Sequence, residues 1–127
     1  MITVSCALIQ KGKYILAVQR SETMKMPLKW EFPGGKVELH ETAEDCLVRE
    51  IEEELHLMIE LKKRLKAVIY PYDNFTINLI PFTAKIKSGK LKLTEHKTYK
   101  WLLKEDLLRL DWADADIPIV KDFLNQN

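Results

Sequence analysis

The chain has 127 residues, 46% hydrophobic and 31% charged, enough for one domain over residues 1–127 with a core of its own. Twenty Lys+Arg against 19 Asp+Glu leave a net charge of +1, which argues against a nucleic-acid binder working by bulk charge. No apolar run reaches the ~20 residues of a membrane span, Met1-Ile2-Thr3-Val4 leads into a strand-like pattern instead of a secretory signal, and Cys6 and Cys46 are too few for a disulfide scaffold, so a reducing cytoplasm is expected.

In chain order, residues 2–10 and 14–19 are apolar and strand-like about Lys11-Gly12-Lys13, the pattern of a hairpin. Residues 20–29 are polar, contain Pro27 and read as a loop. Trp30-Glu31-Phe32 is a short strand candidate, stopped by Pro33-Gly34-Gly35, where the backbone turns sharply or approaches something closely. Residues 42–56 form the best helix. Thr42 can cap it, Asp45 adds a negative charge near the positive end of its dipole, and Leu47, Val48, Ile51 and Leu55 make an apolar stripe. Strands are expected over residues 59–71 and 75–87, meeting in a turn at Pro71-Tyr72-Asp73-Asn74. A turn at Ser88-Gly89, a short strand at 91–93, a loop to Lys100, Trp101-Leu102-Leu103, a short helix over 104–108 and a last helix from Ile117 to Phe123, with Pro118 in its first turn, complete the chain. The order ββ…α…ββ…α reads as α+β, a mixed sheet between helices.

The long helix also carries the chemistry. Glu50, Glu53 and Glu54 stand at i, i+3 and i+4, three carboxylates on one arc beside the apolar stripe. Like charges so placed cost about a few tenths of a kcal/mol each, and no lysine relieves them. A hard cation such as Mg²⁺ or Mn²⁺ would. From spacing alone, an acidic solvated face is an equal alternative.

The preceding residues decide between these. Gly35, Glu41 after five residues, and Arg49-Glu50-Ile51-Glu52-Glu53-Glu54-Leu55-His56-Leu57 after seven more resemble the Nudix box, G-x5-E-x7-R-E-U-x-E-E-x-G-U with U a bulky apolar residue. One position departs: His56 stands for the late Gly, just past the helix end, where a left-handed backbone is often required and His is tolerated at some cost. Trp30 to Glu38 resembles the run before the box in MutT-like nucleoside triphosphate pyrophosphohydrolases, and Asp114-Ala115-Asp116-Ile117-Pro118 resembles that branch's base-contacting segment.

The resemblance implies a Nudix-like α/β/α sandwich. It also implies a metal-dependent enzyme that cleaves a nucleoside triphosphate to nucleoside monophosphate and pyrophosphate, as in nucleotide-pool sanitation, with Mg²⁺ or Mn²⁺ held by Glu50, Glu53, Glu54 and the Gly34 carbonyl. Glu95 falls where MutT-like proteins carry a further loop acid, as metal ligand or water-orienting group; a solvated loop Glu is the alternative. Arg49 and Glu41 would pair and tie loop to helix, or form an ordinary surface ion pair. Arg20 and Lys36 are candidates for the triphosphate, Arg20 equally a plain loop charge. Phe32 and Phe75 are stacking candidates, though strand Phe is more often core.

Asp116 can serve the base or cap the last helix. As an ionised, acceptor-only carboxylate it would favour the exocyclic amine of cytosine, or the N7–H of an oxidised guanine, and disfavour thymine and uracil. The expected substrates are therefore (d)CTP and modified or oxidised (d)NTPs such as 8-oxo-dGTP. Rival readings are a Nudix hydrolase of ADP-ribose or a pterin triphosphate, and a nucleotide-sensing module; the intact box glutamates speak against the second. The expected assembly is a monomer or small homo-oligomer.

Overall fold

The computed structural model describes residues 1–126. β1 (Ile2–Lys11) and β2 (Tyr14–Gln19) form the expected hairpin, reversing at Gly12 with φ 60. β3 (Trp30–Glu31) and β4 (Gly34–Lys36) precede α1 (Ala43–Leu55), followed by β5 (Leu57–Arg64), β6 (Val68–Pro71), β7 (Thr76–Gly89) and β8 (Thr98–Leu103). A 3-10 helix (Lys104–Arg109) and α2 (Asp116–Leu124) close the chain.

The strands make one mixed sheet in the order β3-β2-β1-β7-β5, with β4 also on β1, β6 on β7 and β8 on β2. β1 runs parallel to β7, pairing Ile2 with Ile77 through Gln10 with Lys85. As a central strand it is covered on both faces, hence the apolar run of Cys6, Ala7, Leu8 and Ile9. Ala7 and Ile9 join the core under α1, with Leu47, Ile51 and Leu55. Cys6 and Leu8 join the core under α2, with Trp112, Ile119 and Phe123. The sheet between helices is the α+β architecture the element order predicts.

α1 begins and ends as its sequence requires. Thr42 Oγ1 accepts from the Asp45 N–H at 3.0 Å, and His56 closes the helix in the left-handed conformation, φ 58 and ψ 33, its N–H donating to the Glu52 carbonyl at 3.0 Å. Leu47, Ile51 and Leu55 are fully buried, each contributing about 1.5–3 kcal/mol of apolar burial.

Four expectations change. The strand expected over residues 59–71 is two strands, β5 and β6, both on β7; the pairing shifts between Leu61 and Lys63, and the Leu65 N–H bonds to the Pro81 carbonyl at 2.8 Å. Gly34-Gly35 does not merely stop β3: it opens β4 against Ser5 and Cys6 of β1. Residues 91–93 form no strand; the Lys92 N–H instead caps the Leu55 carbonyl at 3.0 Å. Asp116 is not the cap of the last helix, since it lies inside α2 and Ala115, which has no capping side chain, takes that position.

Candidate active site

β4 fits between β1 and α1 because its glycine pair carries no side chains, Gly34 lying against β1 and Gly35 against α1. A Cβ on Gly34 would stand 1.9 Å from the Ser5 carbonyl oxygen, and one on Gly35 would stand 2.3 Å from Cδ of Glu50. The Glu50 carboxylate thus lies directly on β4.

On the outer side of this contact, Arg49 organises the carboxylates. Its Nη2 and Nε grip Glu41 at 2.7 and 3.1 Å, a bidentate pair that, with the Glu38 N–H, holds the Glu41 carboxyl down at about 2. Its Nη1 also reaches Glu50 Oε1 at 3.0 Å and Glu53 Oε2 at 3.2 Å. The Glu41–Arg49 pair expected from the sequence is formed. Glu53 is the most open of the three helix glutamates, its side chain 58% exposed against 18% for Glu50 and 15% for Glu54.

Inward, Glu54 is crowded by its own kind. Burial pushes its carboxyl up to about 9, helped by a hydrogen bond to Glu50 and by the charges of Glu50, Glu31 and Glu95. Beside it lies His96, a residue that sequence reasoning passed over, because a lone His between Glu95 and Lys97 reads as solvated loop. Its Nε2 is 2.8 Å from Glu31 Oε2, and its Nδ1, 3.6 Å from Glu54 Oε2, has no hydrogen-bond partner. Leaving a buried polar atom unsatisfied costs about 1–3 kcal/mol. Glu31 was also missed; its one signal is a charge set between the buried aromatics Trp30 and Phe32.

Glu31, Glu54 and Glu95, but not Glu50, Glu53 or His96, line a cavity of about 340 Å³ between the sheet, the loop before β3 and the start of α2. Glu54, Glu95, Arg20, Lys36, Gly34, Phe32, Phe75 and Asp116 all line it, so residues far apart in the chain meet in one space. Arg20 is not a plain loop charge: Nη1 binds Glu31 at 2.8 Å and Nε donates to the Lys25 carbonyl at 2.5 Å. Phe32 is only 2% exposed, its ring fixed 4.7 Å from that of Trp112; Phe75 stacks on Tyr72 at 5.2 Å.

Asp116 reaches across the wall, its Oδ2 accepting the Phe32 N–H at 2.9 Å. Burial, with the charge of Glu31, raises its carboxyl well above the ordinary aspartate value. That weakens the expectation of an ionised, acceptor-only group: the neutral acid donates one hydrogen bond and still accepts others.

Among the described residues no three ligating side chains already stand around one point, and Arg49 holds oxygens of Glu50 and Glu53. The donor set nevertheless fits a hard divalent cation. Carboxylates crowded enough to hold the Glu54 proton to about 9 are oxygen ligands whose repulsion such an ion removes.

A mixed sheet between helices, with a glycine pair seated against a glutamate-rich helix, is the frame of one enzyme class. The chain belongs to the Nudix family: the NUDIX domain model matches residues 1–123, and the protein is a Nudix hydrolase. Members generally use divalent metal ions. The chain is similar to the CTP pyrophosphohydrolase of Escherichia coli K12, 32% identical over 124 residues, covering 98% of this chain and 92% of that one. It is also similar to the 8-oxo-dGTP diphosphatase of Buchnera aphidicola subsp. Schizaphis graminum, 30% identical over 115 residues, covering 91% and 86%. Among solved structures, a MutT protein from methicillin-resistant Staphylococcus aureus 252 is 40% identical with a TM-score of 0.80, covering 99% of this chain and 97% of that one.

Proposed function

We propose that this Nudix hydrolase cleaves a nucleoside triphosphate to nucleoside monophosphate and pyrophosphate, with (d)CTP or an oxidised (d)NTP such as 8-oxo-dGTP as substrate. One observation carries the reading. A single cavity joins carboxylates suited to a divalent ion (Glu54, Glu95), cations suited to phosphate (Arg20, Lys36), and aromatic and hydrogen-bonding groups suited to a base (Phe75, Asp116). The names of the relatives, which act on CTP and 8-oxo-dGTP, point the same way.

Glu50, Glu53 and Glu54, with the Gly34 carbonyl, would hold Mg²⁺ or Mn²⁺. Such an ion, when bound, neutralises charge on phosphate oxygens and acidifies water. Glu95, on the cavity wall, is placed to bind the ion or orient the attacking water. Arg49 and Glu41 fix the loop after β4 to α1, so that Glu50 stays on Gly35. Lys36 and Arg20 meet the phosphates, Arg20 from a position preset by Glu31. Phe75 offers a ring face to the base, while Phe32, locked on Trp112, walls the pocket.

Asp116 reads the base edge. Burial favours a carboxyl that can donate as well as accept, which suits an edge with a donor beside an acceptor. Cytosine and 8-oxoguanine present one, but so do thymine and uracil, so the choice of base rests on the names of the relatives.

The test is a screen of unmodified, methylated and oxidised (d)NTPs with pyrophosphate detected as product. The expected leaders are CTP, dCTP or 8-oxo-dGTP, with Glu53→Gln slower by orders of magnitude. Release of orthophosphate instead of pyrophosphate, or turnover that survives excess EDTA, overturns the proposal.

A further inference from the structure

The segment between β7 and β8 is registered on the last two residues of α1. The Thr94 N–H and Oγ1 both donate to the Glu54 carbonyl at 3.2 Å, and the Lys92 N–H takes the Leu55 carbonyl beside it. The open carbonyls at the end of α1 are thus closed by this segment. Further on, the Lys97 N–H bonds to the Gln19 carbonyl at 2.9 Å, which pins the other side. Between these anchors Glu95 faces the cavity and His96 turns inward, its side chain 1% exposed.

The two nitrogens of His96 have different surroundings. Nε2 is held by Glu31, which also holds Arg20; Nδ1 has no partner and faces the Glu54 carboxylate at 3.6 Å. One nitrogen therefore serves as a tether. The other is aimed, from a buried ring, at a carboxylate whose backbone the same segment already grips. Hydrogen bonds in sites lacking substrate are often long and tighten on loading.

We propose that His96 is a positioning residue for Glu54. The tether to Glu31 fixes the ring, and Nδ1 sets the plane of the Glu54 carboxylate while Thr94 and Lys97 keep Glu95 turned toward it. This role rests on Glu54 being a metal carboxylate, as proposed above. Partners that orient ligating side chains in this way typically change metal affinity or activity 10–100-fold, roughly, when removed.

Two amides separate the nitrogens, since Gln places its amide near Nε2 and Asn near Nδ1. His96→Gln keeps the tether, so its melting temperature in EDTA should stay near that of the native protein. Its Mg²⁺ affinity by calorimetry should weaken, and its kcat with CTP or 8-oxo-dGTP should fall at least ~10-fold with KM nearly unchanged. His96→Asn, with a polar atom facing Glu54, should recover part of the kcat despite lower stability.

Native kcat and Mg²⁺ affinity in His96→Gln, beside loss of activity in Glu54→Gln, overturn this inference alone. A kcat that falls across the His96 variants only in step with melting temperature overturns it as well. Native turnover in Glu54→Gln overturns the reading of Glu54 and this role with it.

Discussion

Raising the pH should destabilise the metal-free protein through Glu54. Burial and the neighbouring carboxylates lift its carboxyl from the ordinary 4.5 to about 9. Between those values the folded chain keeps a proton that the unfolded chain has released, so the free energy of unfolding falls as pH rises. The contribution is complete below pH 4.5, drains through this window and levels off above about 9. For one proton the steepest slope is about 1.4 kcal/mol per pH unit. With an unfolding entropy of roughly 2.1 cal/mol/K per residue, that slope is about 5 °C of Tm per pH unit for a chain of this size. From pH 6 to pH 8 in EDTA, the native protein should therefore lose up to about 10 °C more than Glu54→Gln, which has no proton to release there. Mg²⁺ at pH 8 should return the native protein, and not the variant, toward its pH 6 value. Differential scanning calorimetry across that range decides it: parallel profiles for the two proteins would mean that Glu54 is not the buried, crowded acid that the structure describes.

Three further outcomes are expected. Glu95→Gln should lower kcat by more than ~10²-fold if the residue holds water or metal, while a loss under about threefold returns it to the solvated-loop role. Asp116→Ala, which removes donor and acceptor together, should shift relative kcat/KM among bases by at least ~1 kcal/mol and leave metal dependence unchanged; a uniform fall across substrates in step with Tm would leave Asp116 only its hold on Phe32. His56→Gly should raise stability by roughly 0.5–1 kcal/mol, because the left-handed cost of a side chain, ~1–2 kcal/mol, exceeds the entropy that glycine adds to the unfolded chain. A lower melting temperature in that variant would show that His56 contributes through contacts of its side chain.

What was legible in the sequence was whatever is written in local spacing. The stripe of Leu47, Ile51 and Leu55, the Thr42 cap and the left-handed turn at His56 are properties of one helix and need no tertiary knowledge. The gathering of Arg20, Lys36, Glu95 and Asp116 on one cavity was expected only through family resemblance, because β1 and β7 bring those segments together across most of the chain. Three features were hidden for physical reasons. At the break between β5 and β6, four residue steps from Arg64 to Val68 run against three from Phe82 to Leu79 of β7, which no single strand's pattern records. Residues 91–93 have a strand's alternation, but the Lys92 N–H is spent on the Leu55 carbonyl at the end of α1. His96 looks hydrophilic in sequence, and only the meeting of Glu31, Glu54 and the β7–β8 segment buries it.

The pairing of the sheet has a consequence for how the chain comes to be folded at all. β1 lies beside β7, and β2 pairs along its length with β8, Tyr14 opposite Leu103 through Gln19 opposite Thr98. The β1–β2 hairpin therefore waits for β7 until roughly 70% of the 127 residues, and for β8 until roughly four-fifths of them, have been made. Ribosomes add ~5–20 residues per second, so apolar strand edges stay open for seconds. Contacts of such long range also slow the closing step itself. α1 is complete well before then but has no finished sheet to lie on. The core under α1 is complete only when β7 supplies Ile80, Phe82 and Ala84, which makes that late closure the step most exposed to aggregation and to the help of chaperones.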